Sequence, residues 1–282
     1  MKDEKPDFTV FLEELFTKLK SFVDENYHLT QTTGKLNRNN QKSIAMDEAM
    51  EGFILEELKK IDTKVRVFSE EIGVVDVHKD PQYLIVFDPL DGSANFKYGR
   101  GLLPFGTLVC IFEGIEPKFC NVLSAGAIEY TKDLQFYFNG SKTYDKYNMP
   151  VEISDDWENE PNKPFYIDIH KGRRKRYLPL FMNLMVPRHS GSTIGNLVYT
   201  LSNTSACMGS NMMNPEEVGA VVTLLRGAGA KLVDDYGKVF HDQLFSYKKK
   251  FAILGGGEGI VDHIIAMIND VDKKSRHLQR NR

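Results

Sequence analysis

A chain of 282 residues, 41% hydrophobic and 27% charged, is typical of a globular protein with a substantial core in one large domain or two lobes. Its 36 basic and 39 acidic residues leave a net charge of −3, which gives no reason to expect nucleic acid as a partner. The N-terminal MKDEKPDF lacks an apolar signal segment and no apolar run is long enough to span a membrane, so we expect a cytoplasmic protein.

The N-terminal region combines two helices with a polar segment. Apolar residues recur at three- and four-residue spacing over residues 8–23, which predicts an amphipathic helix. Residues 29–43, LTQTTGKLNRNNQKS, are polar and lack periodicity, so we expect a functional loop that acts as a flap. A second helix is predicted over residues 44–60, where Asp47 and Glu51 stand four apart, a pair that usually marks a solvated face.

Strands dominate the next part of the chain. Short apolar or alternating runs predict a largely antiparallel sheet, with strands at residues 65–68, 83–87, 107–112, 119–129 and 134–140. The last of these runs ends in Asn-Gly, a pair that suits a hairpin.

The second half alternates strands with helices, which predicts an α/β layer. The second half restarts with PFYIDIH; strands are expected in KLVDD and FAILG, and helices at residues 195–201, 215–226 and 260–268. The acidic, proline-containing segment 145–164, which holds Trp157, predicts a boundary between an N-terminal α+β lobe (1–155) and a C-terminal α/β lobe (156–282). The basic end, KKSRHLQRNR, predicts a frayed tail.

The three cysteines, Cys110, Cys120 and Cys207, are scattered and odd in number, and no two form a C-x-x-C pair. This pattern argues against a disulfide framework and against a thiolate metal site. We expect all three to be reduced residues of the core.

Acidic residues stand at the ends of three predicted elements. Asp47 lies on a helix behind the flap, and Glu70 follows a strand. Asp88 and Asp91 follow another strand. Because hard divalent cations such as Mg²⁺ prefer oxygen ligands, and buried carboxylates are costly without a neutralising partner, their convergence would form a metal site. The ordinary alternative is that Asp, Pro and Gly here only mark a turn.

The DPLDGS spacing has a geometric reason. Pro89 fixes the turn after Asp88, so that Asp88 and Asp91 point to one side with the Leu90 carbonyl turned toward them. Gly92 and the residues after it open a short helix, whose free N–H groups can bind a phosphate. The segment therefore predicts metal ligands next to an anion site.

SEEIG and FDPLDGSANF resemble the inositol monophosphatase and fructose-1,6-bisphosphatase superfamily of metal-dependent sugar phosphatases. The archaeal-type enzymes that act on both substrates are the most similar variety, because SEEIGVVD, DGSANF and the Asn-Gly hairpin follow one another in the same order. The resemblance is strongest over about residues 44–140.

The resemblance implies an α/β (α+β) fold, a layered αβαβα sandwich of the sugar phosphatase type, and two or three Mg²⁺ ions. It also implies in-line attack by metal-activated water without a phosphoenzyme, and a homodimer. The implied metal ligands are Glu70, Asp88, the Leu90 carbonyl, Asp91 and Glu217. The implied catalytic residues are Asp47, Glu70 and Ser93. The implied phosphate-binding residues are Gly92, Ser93 and Ala94, and the sugar contacts are Gly191, Ser192 and Thr193.

Two departures from the family pattern stand out. The flap of the family reads Asp-x-x-Thr-x-x-Asp, whereas this chain has Gln41, Ile44 and Asp47, so that only the last Asp remains. The second departure concerns an aspartate that the family carries eleven residues before an Ala-Gly pair. In this chain the same count back from Ala228 reaches Glu217 instead. Glu216 is the alternative ligand. Asp234 matches a residue outside the metal site.

Several motifs have competing interpretations. HKGRRKR, residues 170–176, is either a solvated run of charge or a site for a second substrate phosphate. Ser192 or Thr193 could be a helix cap rather than a sugar contact, and His189 is interpreted as structural. GGGEG at 255–259 lacks the third glycine of a dinucleotide fingerprint, and no G-x-S-x-G elbow supports a serine hydrolase.

The sequence therefore predicts a Mg²⁺-dependent phosphomonoesterase for a small phosphorylated metabolite, inositol 1-phosphate, fructose 1,6-bisphosphate or both. Two alternatives stay open. One is a 3′,5′-bisphosphate nucleotidase of the same superfamily, and the other is a degenerate member that binds a phosphorylated metabolite without turnover.

Overall fold

The fold alternates layers of helices and sheets. We describe it from a computed structural model, which covers residue 6 and residues 8–155, 164–169, 176–177, 186–203 and 205–280. The α-helices are Phe8–Asn26, Ala45–Leu58, Ser93–Gly99, Thr193–Ser202, Pro215–Gly227 and Glu258–Arg280. A short 3₁₀ turn covers Phe119–Asn121.

Fourteen strands are found in the described residues, and they form three sheets. A two-stranded hairpin consists of β1 (Thr32–Leu36) and β2 (Lys42–Ile44). The seven-stranded sheet, in the order β4-β3-β5-β6-β7-β8-β9, consists of β3 (Val65–Ser69), β4 (Gly73–Asp76), β5 (Tyr83–Asp91), β6 (Gly106–Glu113), β7 (Val122–Glu129), β8 (Leu134–Phe138) and β9 (Thr143–Asp145). The five-stranded sheet, in the order β11-β10-β12-β14-β13, consists of β10 (Pro164–Asp168), β11 (Val186–Arg188), β12 (Cys207–Met213), β13 (Lys231–Val233) and β14 (Phe251–Gly256).

The central strand β5 shows why two cores form on the two faces of the large sheet. Successive side chains of a strand point to opposite faces. Leu84 and Val86 accordingly join one buried cluster, whereas Ile85 and Phe87 join another. The continuous apolar run YLIVF therefore indicates a strand covered on both sides.

The clusters define the layers. The first two helices pack on one face of the large sheet. Helices Thr193–Ser202 and Pro215–Gly227 lie between the two sheets, and their apolar side chains share a cluster with both. Helix Glu258–Arg280 covers the far face of the small sheet. This order is the αβαβα sandwich that the resemblance implied, so the predicted fold class is confirmed.

Most predicted elements are present with shifts of a few residues at their ends. The large sheet is antiparallel except for the parallel pair β3 and β5. Asn139-Gly140 joins the antiparallel strands β8 and β9, as the hairpin prediction required. The predicted strand 119–129 begins only at Val122, because a 3₁₀ turn precedes it.

Three predictions about the flap segment, the C-terminal tail and the second helix were wrong. Residues 29–43 are not an irregular loop, because β1 and β2 pair there as an irregular hairpin whose first strand is fully exposed. A polar exposed hairpin has no apolar alternation, which removes the usual strand signal. The tail is not frayed, since the last helix continues to Arg280. Asp47 and Glu51 do not form a solvated face, because both are buried.

The remaining predictions concern the cysteines, membrane-spanning helices and the boundary between lobes. Cys110 and Cys207 are buried, and none of the three cysteines forms a disulfide with another. Cys120 is only half-buried, so the expectation that all three lie in the core does not hold for Cys120. No helix in the described part of the chain has the length and apolar character needed to cross a membrane. Trp157 lies outside the described residues, and the division into lobes at residue 155 stays a prediction.

Candidate active site

A cavity of about 240 Å³ opens where the ends of β3, β5 and β10 meet the N-termini of the two central helices. Side chains and backbone from distant parts of the sequence line it together. Its wall includes Gln41, Glu70, Asp88, Asp91, Gly92, Ser93, Ala94, Asp168, His189, Gly191, Ser192, Thr193, Asn196, Asn214 and Glu217. Ten of the twelve residues predicted for the site are in this wall, the other two being Asp47 and Leu90.

Three carboxylates form the centre of this wall. Asp88, Asp91 and Glu217 are buried, and each offers an oxygen within 4.8 Å of the oxygens of the other two. None of the three pairs with a lysine or arginine among the residues that the structure describes. Such an arrangement of oxygen donors is the kind that binds a hard divalent cation.

A break in the pairing of β5 with β6 turns the two aspartates to the same side. Asp88 pairs with Leu108 and Asp91 with Gly106, so the register shifts between them. The Leu90 N–H group donates to Asp88 Oδ1 at 3.0 Å, which closes the turn over Pro89. The extra residue re-aims side chains that a regular strand would send to opposite faces.

Asp91 also reaches the N-terminus of helix Thr193–Ser202. Its Oδ2 accepts a hydrogen bond from the Ile194 N–H group. Ser192 is the N-cap of this helix, since its Oγ accepts from the Gly195 N–H group at 3.1 Å. The cap interpretation of Ser192 is therefore confirmed, although Ser192 also lines the cavity.

Glu217 reaches the aspartates because its side chain folds back over the start of its own helix. Its carboxylate accepts from Thr193 Oγ1 at 3.0 Å and from Asn214 Nδ2 at 3.1 Å. As the third residue of the helix it forms the capping box with Asn214. The methylene that glutamate has in addition to the family's aspartate is thus accommodated by this folded-back conformation.

Glu216, the alternative ligand, is committed elsewhere. It is completely buried and accepts from Arg38 Nη1 and Asn39 Nδ2, each at 2.7 Å. Arg38 also donates to the Tyr247 carbonyl and lies over the Phe68 ring at 4.5 Å. The buried ion pair attaches the hairpin to the second half of the chain.

The hairpin turn also positions Glu70. Asn37 Nδ2 and Asn39 Nδ2 donate to the same oxygen, Oε1, at 2.8 Å and 3.1 Å. The other oxygen, Oε2, accepts no hydrogen bond from the described residues and belongs to a side chain that lines the cavity. Glu70 is therefore held in place while one oxygen stays available.

Asp47 lies behind the cavity, in contact with Ser93. Its Oδ1 accepts from Ser93 Oγ at 2.9 Å, and its Oδ2 accepts from the Ile44 N–H group at 2.8 Å. Ser93 Oγ is also 3.0 Å from the Leu90 carbonyl oxygen. Asp47 and Ser93 line a second, adjoining cavity that shares Gln41 with the first.

The backbone at Gly92 needs glycine for two reasons. Its φ of +86° lies in the left-handed region, and a Cβ there would approach Ser192 Cβ to 2.9 Å. Helix Ser93–Gly99 begins immediately afterwards, next to the carboxylates. The close approach brings Gly92 against the start of helix Thr193–Ser202, so both predicted substrate-binding segments line one cavity.

Burial and mutual repulsion raise the pKa values of this cluster. Burial and then Glu216 raise the pKa of Glu70 to about 8. Burial raises the pKa of Asp91 to about 6, against the lowering effect of the Ile194 N–H group. Burial followed by neighbouring carboxylates raises the pKa values of Asp88 and Glu217 well above their usual range. A bound cation would remove this repulsion.

The sequence did not identify a second pair in the cavity wall. His189 Nε2 is 3.1 Å from Asp168 Oδ1, and His189 Nδ1 accepts from the Gly191 N–H group at 3.0 Å. Asp168 ends β10 as Glu70 follows β3, so the same signal, an acid at the end of a strand, could have found it. The Asp168 carboxylate raises the pKa of His189 through their hydrogen bond.

The structure tests neither interpretation of the basic run HKGRRKR, residues 170–176. Residues 170–175 lie outside the described residues, while Arg176 donates to the carboxylate and the carbonyl of Asp235. Asp234, which was placed outside the metal site, accepts the N–H groups of Tyr236 and Lys238 in a turn.

Residues 4–256 match the model of the inositol monophosphatase family. A fructose-1,6-bisphosphatase/inositol-1-monophosphatase of Thermococcus kodakarensis is 29% identical over 233 residues, which cover 80% of this chain and 82% of that protein. The holo structure of Leishmania major fructose-1,6-bisphosphatase superposes with a TM-score of 0.75 at 15% identity, over 94% of this chain and 96% of that one. The Thermotoga maritima IMPase superposes with a TM-score of 0.74 at 16% identity, over 95% and 99%.

Proposed function

Because the chain belongs to the inositol monophosphatase family, a family of phosphoric monoester hydrolases, we propose that it hydrolyses a small sugar or cyclitol phosphate with the help of Mg²⁺. The substrates proposed are inositol 1-phosphate, fructose 1,6-bisphosphate or both. The resemblance inferred from SEEIG and FDPLDGSANF is confirmed, as is its archaeal dual-activity variety.

One observation carries the proposal. The carboxylates of Asp88, Asp91 and Glu217 lie within 4.8 Å of one another in the same cavity as Gly92, the start of the phosphate-binding segment. A phosphoryl group carries negative charge, so its binding beside three carboxylates requires a cation between them. The site therefore supports metal-assisted phosphoryl chemistry better than simple anion binding.

The donor set fits Mg²⁺. All of its side-chain donors are oxygens, and the ligands proposed are Glu70, Asp88, the Leu90 carbonyl, Asp91 and Glu217. Bound there, Mg²⁺ would supply Lewis-acid polarisation of a phosphoryl oxygen and neutralise developing negative charge. Its identity and the number of ions are part of the proposal.

The residues around these ligands are suited to hold the substrate and a water molecule. We assign the phosphate to the backbone N–H groups of residues 92–94 and the sugar hydroxyls to residues 191–193. Glu70 has the free oxygen Oε2 with which to take a proton from water. Asp47 orients the Ser93 hydroxyl, whose oxygen can in turn accept a hydrogen bond from that water.

Phosphate release tests the proposal directly. Purified protein should release phosphate from inositol 1-phosphate or fructose 1,6-bisphosphate with Mg²⁺, and a chelator should abolish that release. Adenosine 3′,5′-bisphosphate serves as the third substrate. Selective cleavage of that compound would replace the sugar phosphatase with a nucleotidase, and no release from any of the three would overturn the proposal in favour of a non-catalytic binder.

The raised pKa values also predict how stability depends on pH. In a chelator, the folded protein holds the Glu70 proton more tightly than the unfolded chain does, so stability should be highest below pH 4.5 for this group and should fall as the pH rises to about 8. Added Mg²⁺ should stabilise the protein increasingly over the same window, because it replaces those protons. Thermal unfolding at several pH values measures the difference in unfolding temperature between the protein with Mg²⁺ and the protein with chelator. A difference that does not grow with pH would contradict the prediction.

A further inference from the structure

A second group of metal-ligating side chains lies outside the active-site cavity. Cys120, His241 and Asp242 each offer one ligand atom, and these atoms lie within 4.8 Å of one another. None of the three lines the cavity that holds Asp88. The cluster joins residues more than a hundred positions apart, so the spacing of cysteines in the sequence could not show it.

The backbone holds the two segments of this cluster side by side. The Cys120 N–H group donates to the His241 carbonyl at 2.9 Å, and the Phe119 N–H group donates to the Gln243 carbonyl at 3.1 Å. Beneath them, the rings of Phe119 and Phe240 pack edge to face with centroids 5.5 Å apart. The two segments that carry the three donors are therefore held together by backbone hydrogen bonds and by the packing of the two rings.

The three side chains are available. Within the described residues, none of them forms a side-chain hydrogen bond or ion pair. Cys120 is half-buried, and His241 and Asp242 are exposed. An ion can approach from solvent.

The chemistry of the donors selects a different metal from that of the active site. A thiolate sulfur and an imidazole nitrogen are borderline-soft ligands that favour Zn²⁺, whereas the oxygen-only active site favours Mg²⁺. Three protein ligands also leave the fourth position of a tetrahedral Zn²⁺ to water.

We propose that Cys120, His241 and Asp242 bind one Zn²⁺ ion. The Cys120 thiol loses its proton to solvent as the sulfur–zinc bond forms, and no oxidant or reductant is needed. The bound ion cross-links the turn that precedes β7 to the segment that precedes β14, away from the residues assigned to phosphate hydrolysis.

Cobalt(II) is the probe that separates this site from the active site. Titration of this chain with Co²⁺ should produce a thiolate-to-cobalt charge-transfer absorption with a stoichiometry of one ion, and added Zn²⁺ should remove it. Cys120→Ser should abolish the band, and His241→Asn should weaken Co²⁺ binding at least about tenfold. Asp88→Asn should leave the band unchanged, because the active site has no sulfur ligand.

Protection of the thiol provides a second measurement. Zn²⁺ should slow alkylation of Cys120 in the native protein, as measured by mass spectrometry, and a chelator should reverse the effect. The buried Cys110 and Cys207 are internal controls. Absence of the charge-transfer band in the wild-type protein, or its persistence in Cys120→Ser, would overturn the proposal.

Discussion

Replacement of Asp88 by asparagine is expected to lower Mg²⁺-dependent phosphate release by at least about 1,000-fold. Asparagine has nearly the same shape but removes the negative charge from the most enclosed of the three clustered carboxylates. The remaining carboxylates then bind the cation more weakly, and the phosphoryl group loses its compensating charge. Initial rates at saturating substrate and varied Mg²⁺ measure the effect.

Stability separates loss of the metal site from loss of the fold. Burial and neighbouring carboxylates raise the pKa of Asp88, so its removal should raise the unfolding temperature in chelator and reduce the gain from a given Mg²⁺ concentration. Asp76→Asn is the matched control, because Asp76 pairs with Arg66 at the exposed edge strand. An Asp88→Asn protein that keeps more than about a tenth of the wild-type rate would contradict the role assigned to Asp88.

Arg38→Ala should have the largest effect on stability, a loss of about 3 kcal/mol in the free energy of unfolding. The substitution leaves Glu216 completely buried without its cationic partner. It also removes the hydrogen bond to the Tyr247 carbonyl and the contact with the Phe68 ring. Urea unfolding at neutral pH measures the change.

A double variant tests the cause of that loss. Adding Glu216→Gln to Arg38→Ala removes the unpaired buried charge, so part of the lost stability should return. Lys35→Ala is the matched control from the same hairpin, since Lys35 is exposed and pairs with Glu48 on the surface. If Arg38→Ala unfolds within about 0.5 kcal/mol of the wild-type protein, the ion pair does not hold the hairpin.

The sequence predicted the elements that carry a strong periodic or apolar signal. YLIVF indicated a buried central strand, and the helix starting at Phe8 followed from apolar residues at three- and four-residue spacing. The hairpin Thr32–Ile44 was missed because its first strand is exposed and its polar residues act through long-range contacts. Those contacts, such as Arg38 with Glu216, leave no local pattern.

In the candidate site, too, residues with a local sequence signal were predicted, whereas the long-range contacts were not. Glu70, Asp88 and Asp91 could be placed together because strand ends meet at one edge of a sheet. The resemblance favoured Glu217 over Glu216 by counting back from Ala228, but the sequence held no sign that the Arg38 guanidinium pairs with Glu216. The Asp168 and His189 pair was missed, although Asp168 ends β10 and so carries the same signal that identified Glu70.

The cavity of the candidate active site is formed by interactions between residues far apart in the chain. Asp91 accepts a hydrogen bond from a residue 103 positions later, and Arg38 pairs with one 178 positions later. During synthesis the DPLDGS segment is made long before Glu217, so the cluster of Asp88, Asp91 and Glu217 can form only after most of the chain exists. Because contacts between distant residues form more slowly than local ones, we expect the candidate site to assemble late in folding.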